Sequence, residues 1–392
     1  MKKEPWGVYI HVPFCKQKCF YCDFPSYAGK EKWEAAYVDA LTKEIRTEGA
    51  RYVEKWGQPA TIYIGGGTPS VLPAPLLGQL LNELLRTFQI QKPPPEGEAL
   101  GDLEFTVECT PGTINIEKLS LLKSHGVTRL SFGVQTFHDD LLKRIGRIHT
   151  AQQARDAIHL ARAAGFDNIS LDLIYALPGE TLAMLQQDID EALALHPDHI
   201  SIYGLQLEEG TAFWRMNEQG KLHLPDDDTT EAMYDLMTTT LPAHGYARYE
   251  ISNFAKPGYE SSHNLSYWQD KPYLGLGAAA HSYLDGVRYE NTKDVAKYID
   301  AINSGELPRT QEEPATRDIQ MEEFAFLALR TAHGIDKAAF EKKFGVPLAS
   351  VYASTIERMK QKSLLAENEE TVRLTPLGMK YGNYVFEAFL LR

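Results

Sequence analysis

The chain has 392 residues, of which 43% are hydrophobic and 10% aromatic, and its 40 basic and 53 acidic side chains give a net charge of −13. This length predicts two or three domains with a large buried core, and the acidic balance argues against nucleic acid as a partner. Four cysteines are too few for a disulfide scaffold and no apolar run is long enough for a signal peptide or a membrane span, so we expect a soluble, cytoplasmic protein without an integral membrane segment.

Short apolar segments alternate with amphipathic helical patterns along the first half of the chain. The predicted strands are residues 7–12, 61–64, 103–108, 129–134, 169–174 and 199–205. Strands separated by helices pair in parallel through right-handed crossovers, and continuous apolar strands are typical of a sheet buried on both faces. The pattern predicts an α/β fold with six β/α units, either an incomplete (β/α)6 barrel or a doubly wound sheet. A proline-rich segment at 91–98 predicts a stiff surface linker.

The pattern changes after about residue 318. Three helical segments, two short strands around a polar turn and a last helix from Pro376 predict a winged-helix-like unit. Its charges are nearly balanced, which favours packing against the barrel over DNA binding. We therefore expect a barrel core at 1–245, a segment packed on that core at 246–317, and the winged-helix-like domain at 318–392.

Three of the four cysteines, Cys15, Cys19 and Cys22, lie within eight positions in the spacing C-x3-C-x2-C. A structural zinc site usually has four ligands in two pairs, whereas Cys109 is distant and His11 lies on a predicted strand. Thiolates also suit iron–sulfur clusters, in which three cysteines leave one iron open to a substrate or cofactor. The spacing therefore favours an iron–sulfur cluster over zinc.

Polar and glycine residues follow several of the predicted strands. The loop Gly65, Gly66, Gly67 and Thr68 follows the second strand, and the later candidates are Glu108, Gln135, Arg147 and Asp172. Each alone is typical of a strand end, a turn or a helix cap. Because the carboxyl ends of barrel strands meet at one mouth, the set predicts a ligand site there.

The cysteine spacing, with Tyr21 directly before Cys22, resembles the signature of the radical S-adenosyl-L-methionine (SAM) family. The resemblance implies a partial (β/α)6 TIM-like barrel and a [4Fe-4S] cluster on the three cysteines, with the amino and carboxylate groups of SAM on the fourth iron. In that family an electron from the cluster cleaves SAM to a 5′-deoxyadenosyl radical. The implied SAM contacts are Tyr9, Tyr21, Gly65, Gly66, Gly67, Thr68, Glu108, Gln135, Arg147 and Asp172.

A longer set of motifs resembles one branch of that family, which holds oxygen-independent coproporphyrinogen III oxidase and the heme chaperone HemW. They are YIHVPFC, GGGTPS, FGVQTF, DLIYALPGET, YEISNFAKPG and AHSYL, in that order. Two departures weigh against the oxidase. Phe24 stands where the oxidase pattern has a further cysteine, and only 14 residues precede Cys15. No catalytic residue is assigned, and whether the protein is an enzyme stays open.

The segment SSHNLSYW at 261–268 contains H-N-x-x-Y-W, which resembles the motif associated with heme binding in HemW. The resemblance implies His263 as an iron ligand, with Tyr267 and Trp268 packed on the macrocycle, and His281 is a second candidate. A lone histidine among aromatic residues is more often packed or hydrogen-bonded than ligating.

The function implied is heme binding and delivery to acceptor hemoproteins, including respiratory ones, with a flavodoxin- or ferredoxin-type electron donor. The first alternative is oxidative decarboxylation of coproporphyrinogen III to protoporphyrinogen IX in porphyrin biosynthesis. The second is a zinc-stabilised barrel that binds another ligand.

Overall fold

The computed structural model describes residues 4–90 and 103–391, so the linker predicted at 91–98 lies outside the described residues. The strands, numbered along the chain, are β1 Gly7–Val12, β2 Phe14–Cys15, β3 Tyr27–Ala28, β4 Thr61–Gly66, β5 Glu104–Cys109, β6 Arg129–Gln135, β7 Asn168–Tyr175, β8 His199–Gly204, β9 Ala247–Arg248, β10 Asn253–Ala255, β11 Tyr273–Leu276, β12 His281–Leu284, β13 Val287–Asn291, β14 Arg309–Pro314, β15 Ile335–Asp336, β16 Leu365–Glu367 and β17 Thr371–Leu374.

The α-helices are α1 Glu34–Glu44, α2 Ala50–Trp56, α3 Ala74–Thr87, α4 Ile116–Ser124, α5 Asp139–Arg144, α6 Ala151–Ala163, α7 Leu182–Ala194, α8 Ala212–Glu218, α9 Asp227–Ala243, α10 Ser262–Trp268, α11 Val295–Ser304, α12 Arg317–Leu329, α13 Lys337–Phe344, α14 Leu348–Gln361, α15 Pro376–Lys380 and α16 Gly382–Glu387. A π-helical turn at Ile45–Gly49 joins α1 to α2, and two 3-10 turns occupy Glu31–Trp33 and Pro69–Val71. In the described part of the chain, no helix combines the length and the apolar character needed to cross a membrane.

Six parallel strands form the barrel, and they stand in the order β1-β4-β5-β6-β7-β8. Each strand lies beside the next barrel strand along the chain, as in Gly7 opposite Thr61 and Thr61 opposite Glu104. A doubly wound sheet would reverse direction at a switch point, so the observed order confirms the incomplete (β/α)6 barrel. Apolar side chains such as those of Ile10 and Ile62 are fully buried, as the continuous apolar strands predict.

The segment after α9 extends the barrel sheet at both of its edges. Strand β10 pairs antiparallel with β8, and β9 follows it at the outer edge. At the other edge β11 pairs parallel with β1, and β12, β13 and β14 continue antiparallel to give a sheet of twelve strands. This arrangement covers both edges of the open barrel with strands, which protects their backbone groups from pairing with other chains.

The C-terminal unit has an apolar core of its own, built around Phe340, Tyr352 and Phe389. Its helices and the hairpin of β16 and β17 occur where the sequence predicts them, and the short β15 adds a third strand on β17. The domain boundaries at 245 and 317 stay predictions.

Candidate functional site

A cavity of about 540 Å³ opens at the carboxyl ends of the barrel strands, and we call it the cysteine cavity. Its walls contain most of the residues predicted from the sequence to bind a cluster or SAM. They are Cys15, Cys19, Tyr21, Cys22, Gly66, Gly67, Thr68, Glu108, Gln135, Arg147 and Asp172. The fold thus brings residues from four barrel strands or the loops after them, together with the cysteine loop, to one place, as the barrel topology requires.

The three thiols line one side of the cysteine cavity and are all partly exposed to it. The Cys15 sulfur lies 3.7 Å from the Thr68 hydroxyl, and a guanidinium nitrogen of Arg147 lies 3.6 Å from the Cys19 sulfur. Burial raises the pKa of the Cys22 thiol, so a metal must displace its proton when the thiolate binds. Three thiols beside a fixed cation fit an anionic iron–sulfur cluster.

The glycine loop lets the cysteine loop and the strand ends come together closely. A Cβ added at Gly67 would lie 2.6 Å from the Phe14 carbonyl oxygen, and one at Gly65 would lie 2.9 Å from the Glu108 carboxylate. Gly66 has φ +110, a backbone conformation that favours glycine. Gly65 is not part of the cavity wall, and its role in the structure is to make room for Glu108.

Glu108 and Asp172 place two buried carboxyl groups in the cysteine cavity. Tyr63 donates to Glu108 at 2.8 Å and the Gly66 amide donates at 3.1 Å, while burial raises the pKa of Glu108 to about 7. The Ser131 hydroxyl lies 3.2 Å from both oxygens of Asp172, whose pKa is also raised by burial. These groups suit the ammonium and hydroxyl groups of a polar ligand.

Gln135 lies at the irregular end of β6, and Arg147, in the loop between α5 and α6, reaches the same part of the cavity. Gln135 has φ +72, and the pairing with β7 shifts register between Gly133 and Gln135, so the side chain is redirected into the cavity. Arg147 donates to the Gly133 carbonyl, and its Nε is buried without an acceptor among the described residues. An acceptor atom of a bound ligand would provide this buried N–H donor with a hydrogen-bond partner.

Sequence reasoning assigned no residue from the sixth barrel strand. Ser201 and Tyr203 of β8 both line the cysteine cavity. The sequence pattern that could have identified them is the alternation of polar side chains in HISIYG. This alternation places His199, Ser201 and Tyr203 on one face of the strand.

A second cavity of about 950 Å³ opens at the side of the incomplete barrel, and we call it the lateral cavity. Tyr9 and His263 line this cavity, and both rings pack against Tyr63, which also lines the cysteine cavity. The two cavities adjoin, because Phe24, Tyr63 and Glu108 line both.

His263 is buried near the first residue of β4. Its Nδ1 lies 2.7 Å from the Thr61 hydroxyl, its Nε2 lies 2.8 Å from the Tyr267 hydroxyl, and its ring stacks on Tyr63 at 5.0 Å. Burial lowers the pKa of His263 to about 3. Ligation of iron by this histidine therefore requires the loss of at least one buried hydrogen bond.

The helix α10, which carries His263, begins against a carboxylate. Glu104 accepts from the backbone amides of Ser262 at 2.7 Å and His263 at 3.0 Å, and from the Ser261 hydroxyl at 3.2 Å. A carboxylate at a helix N-terminus satisfies free amides and complements the helix dipole. The start of the motif at 261–268 thus also has a structural role, because it anchors α10 to Glu104, the first residue of β5.

The barrel and its cysteine loop define a protein of the Radical SAM superfamily. Residues 9–192 of the chain match the description of that superfamily, and residues 315–381 match that of the HemN C-terminal domain. The solved structure of coproporphyrinogen III oxidase (HemN) from Escherichia coli, a radical SAM enzyme, superposes with a TM-score of 0.83 over 100% of this chain and 91% of that chain. At 21% identity this likeness shows the fold alone.

Curated relatives are similar over nearly the whole chain. Heme chaperone HemW of Bacillus subtilis is 42% identical, covering 98% of this chain and 99% of its own, and heme chaperone HemW of E. coli is 33% identical, covering 100% and 99%. Heme chaperone HemW of Lactococcus lactis is 39% identical over 100% of this chain and 99% of its own. The chain belongs to the HemW family.

Proposed function

We propose that the protein binds a [4Fe-4S] cluster, SAM and heme, and that it delivers heme to acceptor hemoproteins. The observation that carries this proposal is the pair of adjoining cavities, one lined by three thiols and the other by aromatic side chains. The name of the relatives, heme chaperone, supports heme delivery as the activity.

Cys15, Cys19 and Cys22 would hold the cluster, and the remaining predicted residues of the cysteine cavity would hold SAM. Glu108 would pair with the ammonium group of SAM, while Arg147 would neutralise negative charge beside Cys19. When bound, the cluster would supply a single electron to the sulfonium group of SAM. The zinc-stabilised barrel of the sequence analysis is set aside, because the chain belongs to a radical SAM family.

Heme would lie in the lateral cavity. Its volume is in the range of pockets that bury a ligand of this size, and its walls carry Tyr267, Trp268, Tyr273 and Tyr283, which can pack on a macrocycle. Lys271 and Lys293 also line it and can pair with the heme carboxylates. The proposed partners are acceptor hemoproteins, which receive the heme, and a flavodoxin- or ferredoxin-type protein, which supplies the electron.

Phe24 marks the difference from the oxidase pattern. Its side chain is exposed where the cysteine cavity meets the lateral cavity, at the position of the oxidase cysteine. An aromatic side chain there can cover the face of a macrocycle but cannot supply a thiol.

The test is anaerobic reconstitution with ferrous iron and sulfide, followed by two assays on the same protein. We expect heme to bind and then to pass to a heme-free hemoprotein, while coproporphyrinogen III is not converted to a vinyl product. Sustained formation of protoporphyrinogen IX would replace the chaperone assignment with the oxidase. Failure to bind heme would also overturn the proposal.

The matched control is the C15S/C19S/C22S variant. We expect it to lose iron and sulfide and to keep heme binding, because heme occupies the neighbouring cavity. If heme binding is lost in parallel with the cluster, the two ligands do not occupy separate cavities.

A further inference from the structure

The walls of the lateral cavity contain three cationic side chains, which differ in how firmly they are held. Lys271 and Lys293 have flexible stems, and the Lys293 side chain is 60% exposed with its ammonium group 3.9 Å from Glu290. Arg288 is 34% exposed and contacts described side chains on two sides. A ligand carboxylate in this cavity therefore has one cation whose position is fixed in advance.

Arg288 lies on β13, directly opposite Tyr283 of β12. Its guanidinium carbon lies 4.3 Å from the centre of the Tyr283 ring, so an aromatic side chain covers one face of the guanidinium group. Nε and Nη2 donate to the two carboxylate oxygens of Glu323 at 3.1 and 2.8 Å. The stacking and the two-point ion pair together fix the plane of the guanidinium group.

The pairing with Glu323 occupies one edge of the guanidinium group. Arginine has five N–H donors, and Nη1 donates to no carboxylate among the described side chains. Asp270 lies 3.9 Å from Nη2 and also pairs with Lys343. These two cations and two carboxylates balance in charge, and Lys271, next to Asp270 in the chain, adds a positive charge to the cavity wall. The wall can thus accept a further carboxylate.

We propose that Arg288 binds a carboxylate of heme in the lateral cavity, and that the cavity thereby selects tetrapyrroles with free carboxylates. The inference rests on the proposed function, since it assumes that heme binds there. A guanidinium group forms two parallel hydrogen bonds with a carboxylate, whereas a neutral ester lacks the charge that strengthens them. Because Glu323 belongs to α12, the C-terminal unit holds the residue that binds the carboxylate.

The test compares two ligands on the reconstituted full chain, ferric heme and ferric heme dimethyl ester, by absorption titration. The ester keeps the macrocycle and the iron and removes the negative charges. We expect the wild type to bind heme about tenfold more tightly than the ester, because a charge-assisted pair is lost with the ester. The ratio of the two affinities is the deciding quantity.

Arg288→Met should weaken heme binding by about tenfold and change ester binding by less than about twofold, so the ratio falls. Unchanged ester binding shows that the cavity is intact in this variant. Arg288→Lys should give a ratio between those of Arg288→Met and the wild type, because lysine keeps the charge and loses the planar pair of donors. If Arg288→Met fails to fold, the ratio in Arg288→Lys decides.

Arg309→Met is the matched control. Arg309 stacks on Tyr289 at 3.9 Å and pairs with Glu48 at 2.8 Å, as Arg288 does with Tyr283 and Glu323, but it does not line the lateral cavity. This variant should keep the wild-type ratio. Equal binding of heme and ester by the wild type, or a wild-type ratio in the Arg288 variants, would overturn the inference. Binding of neither ligand by the wild type would instead overturn the proposed function.

Discussion

At the scale of single residues, Glu108 is the group whose charge state most directly affects the proposed SAM site. Its carboxyl is buried and has a pKa of about 7, so it changes charge within the physiological range. Only the ionised form can pair with the ammonium group of SAM. The hydrogen bonds from Tyr63 and Gly66 keep it oriented in either state.

We expect SAM to bind about tenfold more weakly at pH 6 than at pH 8, because a carboxyl with a pKa of about 7 is mostly protonated at the lower pH. Equilibrium binding to the reconstituted protein measures the two constants. Glu108→Gln should bind weakly at both values and show little pH dependence. An equally steep dependence in that variant would place the titrating group elsewhere.

Gly67 is a second residue that can be tested by substitution, because Phe14 leaves no room for a side chain there. Gly67→Ala would bring a methyl group within 2.6 Å of the Phe14 carbonyl oxygen and 2.9 Å of the Phe14 nitrogen, so the cysteine loop must shift. We expect this variant to retain less than half of the wild-type iron and sulfide after reconstitution. Gly78→Ala is the control, because its added carbon would lie 3.6 Å from Leu121, which is ordinary contact. Equal cluster content in both variants would contradict this role for Gly67.

At the scale of secondary structure elements, α1 connects the barrel to the 246–317 segment, which adds strands β9 to β14 to the barrel sheet. Glu44, the last residue of α1, accepts from the Gly277 amide at 2.7 Å, the Asn291 amide at 2.8 Å and the Tyr298 hydroxyl at 2.6 Å. Its three partners lie after β11, at the end of β13 and in α11. One buried carboxylate thus joins three elements of the 246–317 segment.

Glu44→Gln should destabilise the protein by about 2 kcal/mol or more, because an amide places N–H groups against donors that the carboxylate accepts. Tyr298→Phe removes a single hydrogen bond and should cost about 1 kcal/mol. Urea unfolding of the two variants beside the wild type measures both differences. A larger loss in Tyr298→Phe than in Glu44→Gln would show that Glu44 is not the main connection.

The C-terminal unit is joined to the 246–317 segment by partly exposed ion pairs, of whose members only Asp270 is fully buried. Lys343 of α13 pairs with Asp270, and Arg288 of β13 pairs with Glu323 of α12 at 2.8 Å. Glu323 and Phe326 also line the lateral cavity, so α12 forms part of the wall of the proposed heme site. The unit predicted to pack against the barrel therefore contributes to a ligand site as well.

At the scale of the whole molecule, stability depends on several carboxyl groups that burial keeps partly protonated. Burial raises the pKa of Glu44 and Glu108 to about 7 and that of Glu180 to about 8. At these three groups the folded state binds more protons than the unfolded state above pH 4.5, so their contribution to the free energy of unfolding falls as pH rises through these values.

We expect the free energy of unfolding of the cluster-free protein to fall between pH 6.5 and pH 8. Glu180→Gln should reduce that fall by about 1 kcal/mol or more, because one oxygen still accepts from the Leu177 amide at 2.9 Å and the charge is removed. Thermal or urea unfolding at both pH values provides the measurement. A stability that rises over this interval, or a Glu180→Gln variant with the wild-type slope, would contradict the assignment.

The barrel was predictable because each of its strands carries its own signal. The predicted strand at 7–12 coincides with β1, and the other five predicted strands differ from the observed ones by one or two residues at an end. Apolar runs between helices define a buried parallel strand locally. The strands β9 to β14 were not predicted. They are short, and they depend on barrel edges that come from distant parts of the chain.

The sequence by itself determined the cysteine motif, the glycine loop and the polar residues at the strand ends, because these depend on spacing along the chain and on the rule that parallel strands end at one mouth. Only the tertiary structure decided that Tyr9 and His263 line a second, adjoining cavity, and that both ring nitrogens of His263 are hydrogen-bonded. Hydrogen-bond partners such as Thr61 for His263 are 202 positions apart, so no local pattern could show that this histidine is engaged.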